Sequence, residues 1–229
     1  MLKAVIFDFD GIIVDTEPIH YRAFQDVLKP LELGYSWDEY LERYIGFDDR
    51  DAFREVFRRA GRNLEERMLG ELINRKATIF EEIVRRGVKP YPGVLQLIGN
   101  ISGTLPMALC SGALESDIVP ILEGLGIQGS FDAVVTAEDV HASKPDPESY
   151  TLAVQRLAAA FPRMGIAPQD CLAIEDTPAG IESALGAGLT VIAVTNSYEA
   201  ERLEGAVLVT DSLETIDVAM LRTVSSRPK

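Results

Sequence analysis

The chain has 229 residues, 47% of them hydrophobic and 25% charged, and a formal net charge of −14 at pH 7. That composition describes a folded chain of one large domain or two modest ones and excludes intrinsic disorder. The acidic balance argues against nucleic acid, whose phosphates require stripes of Lys and Arg, and against anionic membrane surfaces.

The opening MLKAVIFDFDG carries one Lys and an apolar run cut short by Asp8, so it reads as neither a signal nor a transit peptide. No apolar stretch is long enough to cross a bilayer, and the expected location is cytoplasmic. Cys110 and Cys171 are too few for a disulfide framework or a Cys-rich zinc site and read as reduced core residues.

In chain order, Leu2 to Phe7 is an apolar run of the kind that forms a strand buried on both faces, and it leads straight into Asp8 and Asp10. From about Pro18 to Val88 the texture changes to amphipathic, charge-rich segments: HYRAFQDVL, SWDEYLERYI, DAFREVFRRA and EERMLGELINRKATIFEEIVRR. With no convincing strand among them, this reads as a helical insertion. KPYPGV, residues 89 to 94, is a hinge back, followed by the helical pattern LQLIGNI. Further apolar runs follow at Leu105 to Cys110, Ala133 to Thr136, Cys171 to Ile174, Thr190 to Val194 and Val207 to Val209, with helical patterns between them. Strands alternating with helices imply crossovers and a parallel sheet, hence an α/β fold. The tail TVSSRPK reads as frayed.

In open parallel sheets a ligand sits beyond the carboxyl ends of the strands. After the first four apolar runs come Asp8 and Asp10, Ser111-Gly112, a loop leading to Lys144, and Glu175-Asp176. At i and i+2 the two aspartates point the same way, and Gly11 lets the chain turn close to whatever they hold. Two carboxylates on one side need a cation or a shared proton. CSGA is either an ordinary turn ahead of the helix ALESDIVPILEGL or a seat for phosphate oxygens at a helix amino end. Pro145 favours an extended Lys144, Asp146 suits the N-cap and Pro147 the first helical position of ESYTLAVQRLA, so Lys144 is held by a fixed turn. Glu175-Asp176 ends a second buried run, after which Thr177 and Pro178 start a helix that Gly186 and Gly188 close. Hard oxygen donors of this kind suit Mg²⁺. A divalent cation and Lys144 are therefore expected to offset the carboxylates that end the buried strands.

The order Asp8-x-Asp10-Gly, Ser111, Lys144-Pro and Glu175-Asp176 resembles the haloacid dehalogenase superfamily, and the insertion after the first strand resembles its helical-cap phosphatase and β-phosphoglucomutase branch. The resemblance covers essentially the whole chain. It implies a Rossmann-like core, residues 1–16 and 89–229, with an inserted helical cap, residues 17–88, that closes over the active site. It implies Asp8 as the nucleophile attacking phosphorus and Asp10 as the acid that protonates the leaving oxygen and then activates water. Ser111, Gly112 and Lys144 would hold phosphate oxygens. Mg²⁺ would be held by Asp8, the Asp10 carbonyl, Asp176 and, directly or through water, Glu175. The chemistry supports those roles, because phosphoryl transfer is mostly positioning and charge compensation. An acid at position 10 argues against dehalogenation, since the dehalogenase branch lacks it.

DTEPIHYRAF resembles the mutase's segment after the nucleophile, and Thr16, His20 and Lys76 fall where that enzyme has matching residues. His20 would assist closure or proton transfer, or is a polar residue on the first cap helix. Lys76 would touch a substrate phosphate or face water. A mutase must grip a second phosphate, with an Arg shortly after a Gly in its cap loop. Here the loop reads Gly46-Phe47-Asp48-Asp49-Arg50-Asp51, with Arg50 shifted by one and two acids that read as helix caps. The expectation is a Mg²⁺-dependent phosphatase for a small phosphorylated substrate, sugar phosphates included, selected around Gly46 to Arg50 and Lys76. The partner is that small molecule, with no nucleic acid and no membrane, and the chain is a monomer or small homo-oligomer. A phosphohexomutase and a non-catalytic phosphate- or metal-binding regulator are the alternatives, the latter disfavoured because every chemical position is filled. There is no P-loop, GxSxG elbow or HExxH helix, and two histidines, His20 and His141, cannot build a multi-histidine zinc centre.

Overall fold

The computed structural model describes residues 1–44, 47 and 49–226. The elements follow the sequence pattern closely. The first apolar run forms β1 (Ala4–Phe7), and the amphipathic insertion forms α1 (Glu17–Leu28), α2 (Trp37–Arg43), α3 (Asp49–Arg59) and α4 (Glu66–Arg85). There follow α5 (Val94–Ile101), β2 (Met107–Cys110), α6 (Glu115–Gly124), β3 (Ala133–Val135), α7 (Glu148–Ala160) and β4 (Cys171–Glu175). The chain ends through α8 (Pro178–Gly186), β5 (Thr190–Val194), β6 (Leu208–Thr210) and α9 (Val218–Ser225).

The chain divides into two compact units, one of residues 1–15 and 89 onward, the other of residues 16–88. In the first, the described strands form one parallel sheet in the order β3-β2-β1-β4-β5-β6. β1 pairs with β2 on one side and β4 on the other, so the winding reverses there, and open parallel sheets place a ligand beyond the carboxyl ends of such strands. Both strands are fully buried, in keeping with a sheet covered by helices on both faces. One face is lined by small residues, Ala4, Ala108, Cys110 and Ala173, which let α7 and α8 approach through Tyr150, Ala153, Ile181 and Ala184. Cys110 and Cys171 are free and buried, as their type favours.

Of the tail expected to fray, residues 227–229 lie outside the described residues, and the part before them is helical. Thr223 to Ser225 belong to α9, because Leu221 and Val224, three residues apart, share a buried face. Asp217 caps that helix by accepting from the Met220 amide at 2.7 Å. The segments that lead out of and back into the sheet unit run together: Val14 bridges Pro90, and the Tyr91 amide donates to the Ile13 carbonyl at 3.0 Å.

The second unit is helical. Its core is Phe24, Val27, Phe53, Val56, Phe57, Leu69 and Leu72, spaced at helical periodicity on α1, α3 and α4. An aromatic cluster of Tyr21, Tyr35, Trp37, Tyr40 and Tyr44 packs beside it. Among the described residues no helix is long and apolar enough to cross a membrane.

Candidate active site

Adjacent parallel strands bring Asp8 and Glu175 side by side. Phe7 is in register with Ile174, and the Asp8 amide extends the ladder by donating to the Ile174 carbonyl at 3.0 Å. Asp8, Glu175 and Asp176 are all buried, and each offers a carboxylate oxygen within 4.8 Å of the others. Such crowding is tolerated only with compensating charge. Part of it comes from Lys144, whose ammonium donates to Asp8 Oδ1 at 2.5 Å, Glu175 Oε1 at 2.7 Å and the Cys110 carbonyl at 3.2 Å. Its three donors are thus engaged, and the ring of Tyr150 lies beneath it at 4.9 Å.

The turn that delivers Lys144 differs slightly from expectation. The Lys144–Pro145 peptide is cis. The helix begins at Glu148 with Pro147 at the N-cap, one residue later than the spacing suggests. Asp146 still accepts from the Glu148 amide at 2.9 Å, so it caps the turn as its type requires.

Glu175 has no exposed surface and its oxygens are saturated. Oε1 accepts from Lys144 and from the Tyr150 hydroxyl at 2.8 Å; Oε2 accepts from the Asp176 amide at 3.0 Å, the Thr177 amide at 3.3 Å and the Thr177 hydroxyl at 3.2 Å. Asp176 is the opposite case. Its Oδ2 accepts from the Ser197 hydroxyl, while its buried Oδ1 has no hydrogen-bond partner. Burial first, then Glu175, raise Asp176 to about 7 against the lowering effect of the Ser197 hydrogen bond. Burial, followed by the Glu175 carboxylate, likewise holds Asp8 well above the usual carboxylate range, with Lys144 pulling the other way. Burial works to lower Lys144, but Asp8 and Glu175 outweigh it and hold the ammonium well above its ordinary range.

Gly11 makes the tight approach of the first loop available: its φ is +80°, and a Cβ there would lie 1.8 Å from Asp176 Oδ2. Asp10, half-buried in the same loop, bridges Val14, and its charge is among those acting on Asp176. Ser111 is buried one residue past Cys110, and its Oγ accepts from the Ala113 amide at 3.0 Å, which leaves its own proton to donate; Gly112 beside it is exposed.

The candidates in the helical unit are arranged differently from expectation. Lys76 does not face water. It is 2% exposed and donates to Asp49 Oδ1 at 2.7 Å and to His20 Nδ1 at 2.8 Å, between the rings of Phe24 and Phe80. Since an ammonium only donates, His20 Nδ1 is the acceptor and its proton sits on Nε2. Burial first and then the neighbouring Lys76 lower His20 to about 3. Asp49, the first residue of α3, turns a carboxylate oxygen to Lys76, a charge-assisted bond to a buried ammonium. Thr16 is buried at the start of α1 with no side-chain cap bond. Arg50 is exposed and pairs with Glu66 at 3.3 Å. Gly46 and Asp48 lie outside the described residues.

Four participants escaped the sequence reading. Tyr150 and Gly180 lie on helices, where an aromatic and a small residue read as packing. Asn196 and Ser197 carry a usable signal, because they follow the fifth apolar run as polar residues just past a strand end. Asn196 Nδ2 donates to the Gly11 carbonyl at 2.6 Å.

The chain is similar to known proteins over most of its length. The chain is 30% identical to the fructose-1-phosphate phosphatase YqaB of Escherichia coli, covering 83% of this chain and 95% of that protein. It is 31% identical to hexitol phosphatase A of the same organism, covering 94% of each. The crystal structure of β-phosphoglucomutase from Clostridium difficile shares the fold, with a TM-score of 0.76 at 23% identity over 98% of this chain and 97% of that one. The sequence pattern of haloacid dehalogenase-like hydrolases matches residues 5–194, a span that runs from β1 through β5 and takes in the four strand ends, and the chain therefore belongs to that family.

Proposed function

We propose that the chain is a Mg²⁺-dependent phosphatase that hydrolyses a small phosphorylated metabolite, of the sugar-phosphate class, through an aspartyl-phosphate on Asp8. The observation that carries this reading is the Lys144 ammonium, 2.5 Å from one oxygen of Asp8 and 2.7 Å from Glu175. It ties down one Asp8 oxygen and leaves the other to act, while supplying positive charge where an anionic substrate must approach a carboxylate. An Asp8 oxygen would bond to phosphorus as the bond to the leaving oxygen breaks, with Asp10 giving that oxygen its proton. Asp10 would then take a proton from water, which attacks the same phosphorus, releases phosphate and restores Asp8. The Ser111 hydroxyl would donate to a phosphoryl oxygen, and Lys144 would exchange its long Cys110 bond for another.

Mg²⁺ fits the residues present. The donors are hard oxygens, and Asp176 Oδ1 is buried with no hydrogen bond beside the Asp8 carboxylate. Asp8, Asp176 and the Asp10 carbonyl would hold it, with saturated Glu175 behind them as the counter-ion of Lys144. When bound, the ion supplies charge that offsets the phosphoryl oxygens.

Relatives named as a fructose-1-phosphate phosphatase and a hexitol phosphatase support the substrate class. We assign substrate selection to the helical unit, around Gly46 to Arg50 and Lys76. Hydrolysis is favoured over a mutase reaction because Lys76, which would grip a second phosphate, already spends its charge on Asp49. The test is phosphate release from a panel of sugar phosphates, nucleotides and other small phosphoesters with and without Mg²⁺, beside β-glucose 1-phosphate isomerisation with a bisphosphate primer. Metal-dependent release is expected. Asp8→Asn should lower it by roughly 10⁴-fold or more with the circular dichroism spectrum unchanged, and retained turnover would sink the mechanism.

A further inference from the structure

We propose that Ser197 is a positioning residue that fixes which oxygen of Asp176 is presented to a divalent cation, with Asn196 anchoring the loop that carries it. This rests on the metal-dependent reading above. The two residues follow β5, where the Thr195 amide donates to the Thr210 carbonyl at 2.9 Å and carries the sheet pairing up to the loop. From there Asn196 reaches the Gly11 carbonyl at 2.6 Å and Ser197 reaches Asp176 Oδ2. Gly11 and Asp176 approach so closely that a Cβ on Gly11 would lie 1.8 Å from Oδ2 and 2.9 Å from Oδ1. One short loop thus grips both sides of that contact.

A carboxylate rotates readily about its last torsion unless something stops it. Here the hydroxyl holds Oδ2, so Oδ1 is the oxygen left buried and unpartnered. Leaving a buried acceptor unpaired is costly, and such a group calls for a partner the protein itself does not supply. Glu175, the neighbouring acid, shows the contrast: its five donors leave it no comparable oxygen. Asp176 is kept open by a single hydroxyl, and removing that hydroxyl would release both of its oxygens.

The experiment is Mn²⁺ binding to the full chain without substrate, followed by electron paramagnetic resonance, which does not depend on turnover. Removing a hydrogen-bond partner behind a metal ligand weakens affinity by about 10- to 100-fold, and Ser197→Ala is expected to do so. Ser197→Thr keeps the hydroxyl at an exposed position with room for the added methyl and is expected to bind within about threefold of wild type. Should the alanine variant fail to fold, Ser197→Cys, similar in size but a weak donor, carries the same expectation. A folded Ser197→Ala protein that binds Mn²⁺ as tightly as wild type overturns the proposal. Failure of the metal reading looks different, because then the wild-type protein itself would not bind Mn²⁺.

Discussion

Glu175 sits beneath the first turn of α8 only because residue 180 has no side chain. A Cβ on Gly180 would lie 1.9 Å from Glu175 Oε1 and 2.2 Å from Oε2, distances at which the carboxylate must move. Moving it disturbs Lys144, Tyr150 and Thr177 together, since all three donate to it. Gly180→Ala is therefore expected to cost about 3 kcal/mol or more in urea denaturation, the range for overpacking combined with a broken buried network. The clash has one owner on each side, so it should be non-additive. In a Glu175→Ala background the same glycine change should cost less than about 1 kcal/mol. A single Gly180→Ala variant as stable as wild type would contradict the steric account.

The helix above that residue is held by Thr177, whose hydroxyl accepts from the Gly180 amide at 3.0 Å and donates to Glu175 Oε2. Losing an N-cap costs about 1 kcal/mol and a hydrogen bond to a charged group somewhat more. Thr177→Ala should thus destabilise by roughly 2–3 kcal/mol, whereas Thr177→Ser should stay within about 0.5 kcal/mol, both read from urea midpoints. Elements such as α8 were legible in the sequence because their signals are local: Thr-Pro at the start, glycines at the end, an apolar run before. The same holds for the six strands and for α1 to α4, where burial imposes a period that composition alone displays. What could not be read was pairing between distant residues. Nothing near Lys76 in the chain shows that Asp49 and His20 will enclose its ammonium, and nothing near Glu175 shows that Tyr150 will saturate it. Asn196 and Ser197 lie between these cases, because their place after an apolar run was visible while their targets, Gly11 and Asp176, were not.

At the scale of the molecule, the helical unit, residues 16–88, carries its own acid sensitivity. His20 accepts from Lys76 and stacks on Phe80 with ring centroids 4.5 Å apart, an arrangement that requires the neutral ring. In the unfolded chain the imidazole takes up a proton below about pH 6.5, whereas burial and Lys76 keep it neutral in the folded unit down to about 3. Between those limits the unfolded state binds more protons, so stability is lost as pH falls through the window. One pKa unit is worth about 1.36 kcal/mol; for a half-buried ring the loss between pH 7 and 4.5 is discounted to roughly 1–2 kcal/mol. The chain's one tryptophan, Trp37, lies in this unit against Tyr21 and Tyr40, so its fluorescence reports unfolding there. His20→Gln keeps an acceptor for Lys76 and does not titrate. Urea denaturation of both proteins at pH 7 and 4.5, followed at Trp37, should show the variant losing roughly 1–2 kcal/mol less than wild type on acidification. Because carboxylates titrate alike in the two proteins, that difference isolates the imidazole, and identical pH dependence would mean that His20 is protonated within the folded unit.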